Sequence, residues 1–110
     1  MKLDRRIESF VLLYLLQQPF HGFDIYKKLN KALKGVKVDT AGVYRAMDKL
    51  VENHHIKFEL VPGDKGPDKK VYSILPLGIE RLNELYEVYR NDLYNLTIFT
   101  ETYKGLASKM

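Results

Sequence analysis

Hydrogen-bond donors on one predicted helix are the residues of this 110-residue chain best suited to specific recognition. The helix is predicted from about Thr40 to Asn53, because apolar residues recur there with a spacing of three and four. Largely outside its apolar stripe lie Thr40, Ala41, Tyr44, Arg45 and Lys49. Arginine can donate two hydrogen bonds to guanine, and threonine or tyrosine can bond phosphates or bases. Because the DNA major groove admits one α-helix, this exposed face predicts contact with double-stranded DNA.

A basic loop after this helix adds further donors. Apolar side chains mostly alternate with polar ones over residues 56–61 and cluster over residues 71–74. These two patterns predict the two strands of a β-hairpin. The intervening residues 62–70 contain two prolines and two glycines, which predicts an exposed loop. This loop carries Lys65, Lys69 and Lys70, which we expect to reach phosphates beside the groove.

The distribution of charge agrees with a nucleic-acid partner. The formal net charge is +4, and residues 24–76 alone carry 11 basic and 7 acidic side chains. Residues 77–110 carry 4 basic and 5 acidic side chains, so the basic excess lies before the last segment. A local basic surface attracts DNA, although a solvated lysine-rich helix face would have the same composition.

Three further elements must position these donors. The spacing of apolar residues predicts a buried helix over 5–17 and a second helix from Gly22 to Leu33, with a tight turn at His21-Gly22 and a C-terminal cap at Gly35. Asp39 or Thr40 is a candidate N-cap for the third helix. Pro76 suits the first turn of a final helix that extends to about Tyr103, and Gly105 predicts fraying after residue 104.

The final helix carries more apolar surface than a small domain can cover. Its apolar residues step by three and four, interrupted by Thr100, at Leu82, Tyr86, Tyr89, Leu93, Leu96 and Tyr103. From Leu77 to Tyr103 the helix would measure about 40 Å. A heptad-like stripe of this length predicts that two copies of the chain form a homodimer through this helix. Alternatively, the same residues could line a pocket for a small hydrophobic or aromatic effector.

Several classes of protein are disfavoured by composition and motifs. The chain has no cysteine, which excludes disulfides, zinc fingers and a thiol nucleophile. His21, His54 and His55 lack metal-ligand spacing and are interpreted as turn residues. No nucleophile motif or phosphate-binding glycine loop is present, so we expect neither catalysis nor a cofactor. Apolar runs are too short to span a membrane and no secretion signal is recognisable, which predicts a cytoplasmic protein.

Four motifs together resemble the PadR-like transcription regulators, and the resemblance covers about residues 7–82. The motifs are His21-Gly22-Phe23-Asp24-Ile25, residues 42–50 from Gly42-Val43-Tyr44-Arg45 to Leu50, residues 66–72 from Gly66-Pro67-Asp68 to Tyr72, and Pro76-Leu77-Gly78. The resemblance implies a homodimeric winged helix that usually represses transcription. Some short members of the family bind flat hydrophobic compounds between subunits.

The sequence departs from the family pattern at three places. Asp68 and Lys69 stand where arginines are usual in the wing, Leu75 precedes the last helix in place of a threonine, and His54 takes the position of a turn glycine.

We therefore predict a mostly helical α+β fold, with a winged helix-turn-helix DNA-binding domain over residues 1–76 and a dimerisation helix over residues 77–110. The predicted function is a sequence-specific repressor that binds a pseudo-palindromic operator as a homodimer. The alternative is a winged-helix module that binds a protein and has little DNA affinity, suggested by Asp48, Asp64 and Asp68 near the presumed DNA face. An RNA-binding protein is less consistent, because the hairpin lacks the exposed aromatics that stack single strands.

Overall fold

Four helices and a small antiparallel sheet form the structure, a computed structural model that describes the backbone from residue 3 and side chains from residue 6. The elements in chain order are α1 (Leu3–Gln17), β1 (Phe20–His21), α2 (Gly22–Ala32), α3 (Thr40–Glu52), β2 (Ile56–Val61), β3 (Lys69–Ile74) and α4 (Pro76–Ala107). The predicted fold class, mostly helical α+β with a long C-terminal helix, is confirmed. The hairpin of β2, β3 and the connecting loop, residues 56–74, is called the wing below.

The hydrophobic core is organised around α1. This helix packs against α2, α3, α4 and β3, because its apolar residues occupy more than one face. Its side chains meet the apolar stripes of α2 and α3 and one aromatic ring from the sheet. Fully or almost fully buried core residues include Val11, Leu12, Ile25, Leu29, Val43, Met47, Ile56 and Tyr72. The helices that carry the candidate donors are thus held by a single core.

The sheet has three strands in the order β1–β3–β2, and all of its pairings are antiparallel. The strand β1 was not predicted, because a two-residue strand has no periodicity and its partner, Tyr72 opposite Phe20, lies far away in sequence. The expected tight turn at His21-Gly22 is wrong, since His21 ends β1 and Gly22 begins α2 directly. Lys69 and Lys70, expected in the loop, are the first two residues of β3.

Helix ends agree with the predicted caps in part. The Asp39 carboxylate accepts a hydrogen bond from the Gly42 N–H at 2.7 Å, which caps α3 as predicted. Gly35 does have a positive φ of 71°, but α2 ends earlier with Leu33 as its C-cap, so the predicted glycine cap is wrong. His54 has a φ of 60°, the left-handed conformation that a glycine would adopt with less strain.

The long helix α4 extends well beyond the body of the molecule. The radius of gyration is 17.2 Å, against about 13 Å for a compact chain of this length. The helix continues through Gly105 to Ala107, so the expected fraying after residue 104 is not observed. A single exposed glycine costs only about 1 kcal/mol in a helix, too little to end one of 32 residues. No helix in the described part of the chain is long and apolar enough to cross a membrane.

Candidate nucleic-acid interface

The outward face of α3 has a basic first half and an acidic second half. Helical geometry places Ala41, Arg45, Asp48 and Glu52 along one face, and all four are exposed. The residues opposite this face are buried in the core. Because Ala41 is small and Arg45 is long, the N-terminal half of α3 is the part suited to approach base edges. The predicted residue Thr40 also lies exposed at this end.

Tyr44 lies on the flank of α3 that faces α2. A β-carbon added at Gly22 would lie 2.7 Å from Tyr44 Cε1, 3.1 Å from its hydroxyl and 3.1 Å from Met47 Cε. The ring of Tyr44 therefore lies directly against the backbone where α2 begins. Gly22 is required by this close approach, and a positive φ is not involved.

We expect Gly22→Ala to lower the free energy of unfolding by about 1–2 kcal/mol, because the new methyl group must displace Tyr44 and Met47. Chemical denaturation measures this change. In a Tyr44→Ala background most of the clash is removed, so the same substitution should cost clearly less there. An equal cost in both backgrounds would contradict the assigned contact.

A cleft of about 510 Å³ separates the start of α2 from the wing, and we call it the α2–wing cleft. Its lining includes the predicted residues Tyr44, Lys69 and Lys70. The structure adds residues that sequence reasoning did not assign to DNA: His21, Gly22, Phe23, Asp24, Lys27, Asp68 and Tyr72. Three lysines against two aspartates leave the cleft a net positive lining.

Two of the cleft lysines are already engaged within the chain. Lys27 forms an ion pair with Asp24 at 3.4 Å, and Lys70 Nζ lies 4.4 Å from the centre of the Phe58 ring. Lys69 is exposed, and the same is true of Lys65 in the loop at the tip of the wing. Lys65 and Lys69 are consequently the wing cations most available to a phosphate.

The floor of the cleft is the buried ring of Tyr72. Burial raises the pKa of its phenol, and the Asp48 carboxylate and Tyr44 raise it further. The Tyr72 phenol therefore stays protonated near neutral pH and carries no negative charge toward an approaching phosphate. Its cross-strand partner Phe58 contacts it at a ring-centre distance of 5.9 Å, which holds the two wing strands together.

Lys49 lies one turn beyond Arg45, but on a different side of α3 from Thr40 and Tyr44. It lies about 140° around α3 from Tyr44, on the flank that faces α1. Its Nζ is 3.5 Å from a carboxylate oxygen of Glu8. Sequence reasoning had no signal for this contact, because the two residues are 41 positions apart.

A second, apolar groove lies between α1 and α4, with a volume of about 310 Å³. Half of the predicted dimer or effector residues, Leu82, Tyr86 and Tyr89, line this α1–α4 groove. Leu93, Leu96 and Tyr103 lie farther along α4 and are exposed. The hydroxyls of Ser9 and Tyr89 are hydrogen-bonded to each other in its wall, and Asn83 adds a polar amide. Within the described residues, no cluster of three or more potential metal ligands occurs.

Comparison with known proteins relates this architecture to one family. Residues 11–84 match the sequence profile of the "Transcriptional regulator PadR-like family". No curated protein matches the chain in sequence.

Solved structures of the same fold include two regulators of similar size. A PadR-like transcription factor from Bacteroides fragilis is 23% identical with a TM-score of 0.73, covering 86% of this chain and 89% of that one. A PadR-like transcriptional regulator from Bacillus cereus is also 23% identical, with a TM-score of 0.74 and coverage of 86% and 91%.

A third similar structure is that of Bacillus subtilis PadR in complex with operator DNA. It is 20% identical with a TM-score of 0.67, and the match covers 73% of this chain but 46% of that longer one.

Proposed function

Because the chain belongs to the PadR-like family of transcriptional regulators, we propose that it is a repressor that binds a pseudo-palindromic DNA operator as a homodimer. In this proposal residues 1–76 bind DNA and residues 77–110 dimerise. The observation that carries it is the position of Arg45, exposed on the outward face of α3 beside a cleft lined by lysines.

The proposed DNA contacts follow from the geometry of α3 and the wing. The N-terminal half of α3 enters the major groove, where Arg45 reads a guanine and Thr40 and Ala41 lie close to neighbouring bases. Lys65 and Lys69 bind phosphates from the wing, and the Tyr44 hydroxyl reaches the backbone from the α2–wing cleft. The complex of a similar protein with operator DNA supports this class of partner.

The proposed dimer is supported by the apolar surface of α4. Leu93, Leu96 and Tyr103 are each about 60% exposed, although they continue the stripe that begins against α1. Exposed apolar residues in a contiguous stripe mark an interaction surface. A second copy of the chain would cover them, and two recognition helices about 34 Å apart would then reach successive major grooves.

The α1–α4 groove is the proposed site for an effector. Its lining is apolar and aromatic apart from Ser9 and Asn83, which suits a small hydrophobic or aromatic molecule. An effector bound here would act on α1, and α1 also packs against α3.

The first test is fluorescence anisotropy with a duplex selected from a random library, measured over a range of salt concentrations. Because each neutralised phosphate contributes a log–log slope of about −0.9, six or more contacts should give a slope below about −5. We expect Arg45→Ala to weaken operator binding by about 10- to 100-fold, the usual worth of a bidentate contact to guanine.

Arg90→Ala is the matched control. Arg90 is exposed on α4 and is 3.9 Å from Glu87, so its loss removes the same charge away from the recognition helix. Once sedimentation velocity has shown that its oligomeric state equals that of the wild type, operator affinity should change less than twofold in this variant. Equal effects of the two substitutions would contradict base reading by Arg45.

The same titration distinguishes the alternative function. Asp48 and Glu52 on the outward face of α3 favour a basic protein partner over DNA. If the wild-type protein binds no duplex even at low salt, the DNA-binding proposal is wrong, and partner capture should then depend on these two carboxylates.

A further inference from the structure

We propose that Lys49 is a positioning residue whose ion pair with Glu8 holds the C-terminal half of α3 on α1, and that it makes no contact with DNA. This inference rests on the proposed DNA-binding function and reassigns one of the donors predicted from the sequence.

Lys49 lies outside the face of α3 that is turned away from the core. That face is marked by Ala41, Arg45, Asp48 and Glu52, and Lys49 lies on its α1 side, beyond Arg45. In the last turns of α3 the outward positions are therefore acidic. A DNA phosphate approaching Lys49 would come close to the Glu8 carboxylate and to that of Glu52, which lies three residues further along α3.

The partner of Lys49 is a partly buried carboxylate. The Glu8 side chain is only 18% exposed, whereas the Lys49 side chain is 62% exposed, and their N–O distance is 3.5 Å. Part of the water around Glu8 has been removed by folding, so the carboxylate gains from a nearby cation more than a fully solvated one would. Moving Lys49 to a phosphate would leave Glu8 without this cation.

The residue after Glu8 makes the corresponding contact to α4. Ser9 is 4% exposed, and its hydroxyl is hydrogen-bonded to the Tyr89 hydroxyl. Successive residues of α1 thus contact the recognition helix on one side and the proposed dimerisation helix on the other. The Glu8–Lys49 pair helps to set the orientation of α3 relative to α4, and hence relative to the second half-site of an operator.

Removing the Glu8 charge should change operator affinity in opposite directions, depending on whether Lys49 is a phosphate contact or a positioning residue. A negative charge near DNA disfavours binding, so Glu8→Gln should raise affinity if Lys49 is a phosphate contact for which Glu8 competes. If Lys49 is a positioning residue, the same substitution releases α3 and lowers operator affinity. Exposed or partly exposed ion pairs contribute modest energies, so we expect a two- to fivefold loss of operator affinity.

The experiment measures operator affinity and its salt dependence for the full-length variants Glu8→Gln, Lys49→Met and the charge-exchanged Glu8→Lys with Lys49→Glu. We expect a two- to fivefold loss in each single variant, an unchanged salt slope for Lys49→Met, and at least partial recovery in the exchanged pair. Lys49→Arg should remain close to wild type. Lys69→Met is the positive control, because loss of a phosphate contact reduces the salt slope by about 0.9.

Three results would overturn the inference: tighter binding by Glu8→Gln, a salt slope reduced by about 0.9 in Lys49→Met, or a charge-exchanged pair weaker than both single variants. Thermal unfolding of each variant shows whether it is folded at the assay temperature. If the proposed DNA-binding function itself is wrong, the wild-type protein binds no selected duplex at all, and this result is distinct from the three above.

Discussion

Gly78→Ala should destabilise the protein by about 3 kcal/mol or more, although alanine is the better helix former by about 1 kcal/mol. A β-carbon at Gly78 would overlap the carbonyl oxygen of His55 and lie 2.8 Å from Ile74 Cγ1. That carbonyl also accepts the Leu75 N–H at 2.9 Å, so it is fixed where the turn after α3 meets the start of α4. A backbone atom cannot rotate away as a side chain would, and α4 would have to shift from the wing.

Thermal and chemical unfolding at a fixed protein concentration measure this loss, for which we expect a decrease in Tm of at least about 10 °C. Gly105→Ala provides the matched control, because Gly105 is also within α4 and nothing lies within 4 Å of its added β-carbon. Gly105→Ala should stabilise the protein by about 0.5–1 kcal/mol. If both substitutions changed stability equally, the close packing of Gly78 against His55 would be contradicted.

Local patterns were sufficient to predict the elements that carry the candidate site. The apolar periodicity of α3 and the Asp39 cap placed that helix from Thr40 to about Asn53, and the structure ends it one residue earlier. Pro76 likewise marked the first residue of α4. Such features depend on residues within one or two turns of each other, which is the range over which helix signals act.

Contacts between distant residues could not be predicted. The roles of Gly22 and Gly78 depend on Tyr44 and on the His55 carbonyl, which become neighbours only when the core has formed. The start of the second helix at Gly22 was predicted, but the close contact of Gly22 with Tyr44 was not. The strand β1 was missed because its pairing with β3 is also a long-range contact.

In the candidate site, too, the local features could be predicted and the long-range contacts could not. Helical periodicity correctly separated the exposed residues of α3 from its buried ones. It did not distinguish Arg45, which faces outward, from Lys49, whose environment is set by α1. The α2–wing cleft could have been anticipated only by placing the His21-Gly22 motif next to the wing, which requires the fold.

The α4 stripe also has two parts that its periodicity does not separate. Leu82 and Tyr89 pack against the core of their own chain, whereas Leu93 and Leu96 extend beyond α1 and are exposed. In the first part Tyr86 is also exposed, but every stripe residue of the second part is open to another copy. The proposed homodimer should therefore depend most strongly on the stripe after Tyr89.

Replacing Leu93 and Leu96 together by glutamate should convert the proposed dimer to a monomer and weaken operator binding more than 100-fold. Two buried leucines contribute about 3–6 kcal/mol to each side of an interface, and burying four carboxylates at a twofold axis is strongly unfavourable. A monomer also loses the second half-site, which otherwise binds at a high effective concentration. Sedimentation velocity measures the oligomeric state, and anisotropy with the selected operator measures affinity.

The matched control is the pair Asn91→Glu and Thr102→Glu, which adds the same charge on the opposite, exposed face of α4. This variant should remain dimeric and lose much less affinity, with any loss due to general electrostatic repulsion of DNA. If instead the Leu93 and Leu96 variant stays dimeric, the interface lies elsewhere, and the apolar half of α4 must be covered by a different partner. If the wild-type protein is monomeric at micromolar concentration yet binds the operator tightly, the recognition helices act singly and a pseudo-palindromic operator is not required.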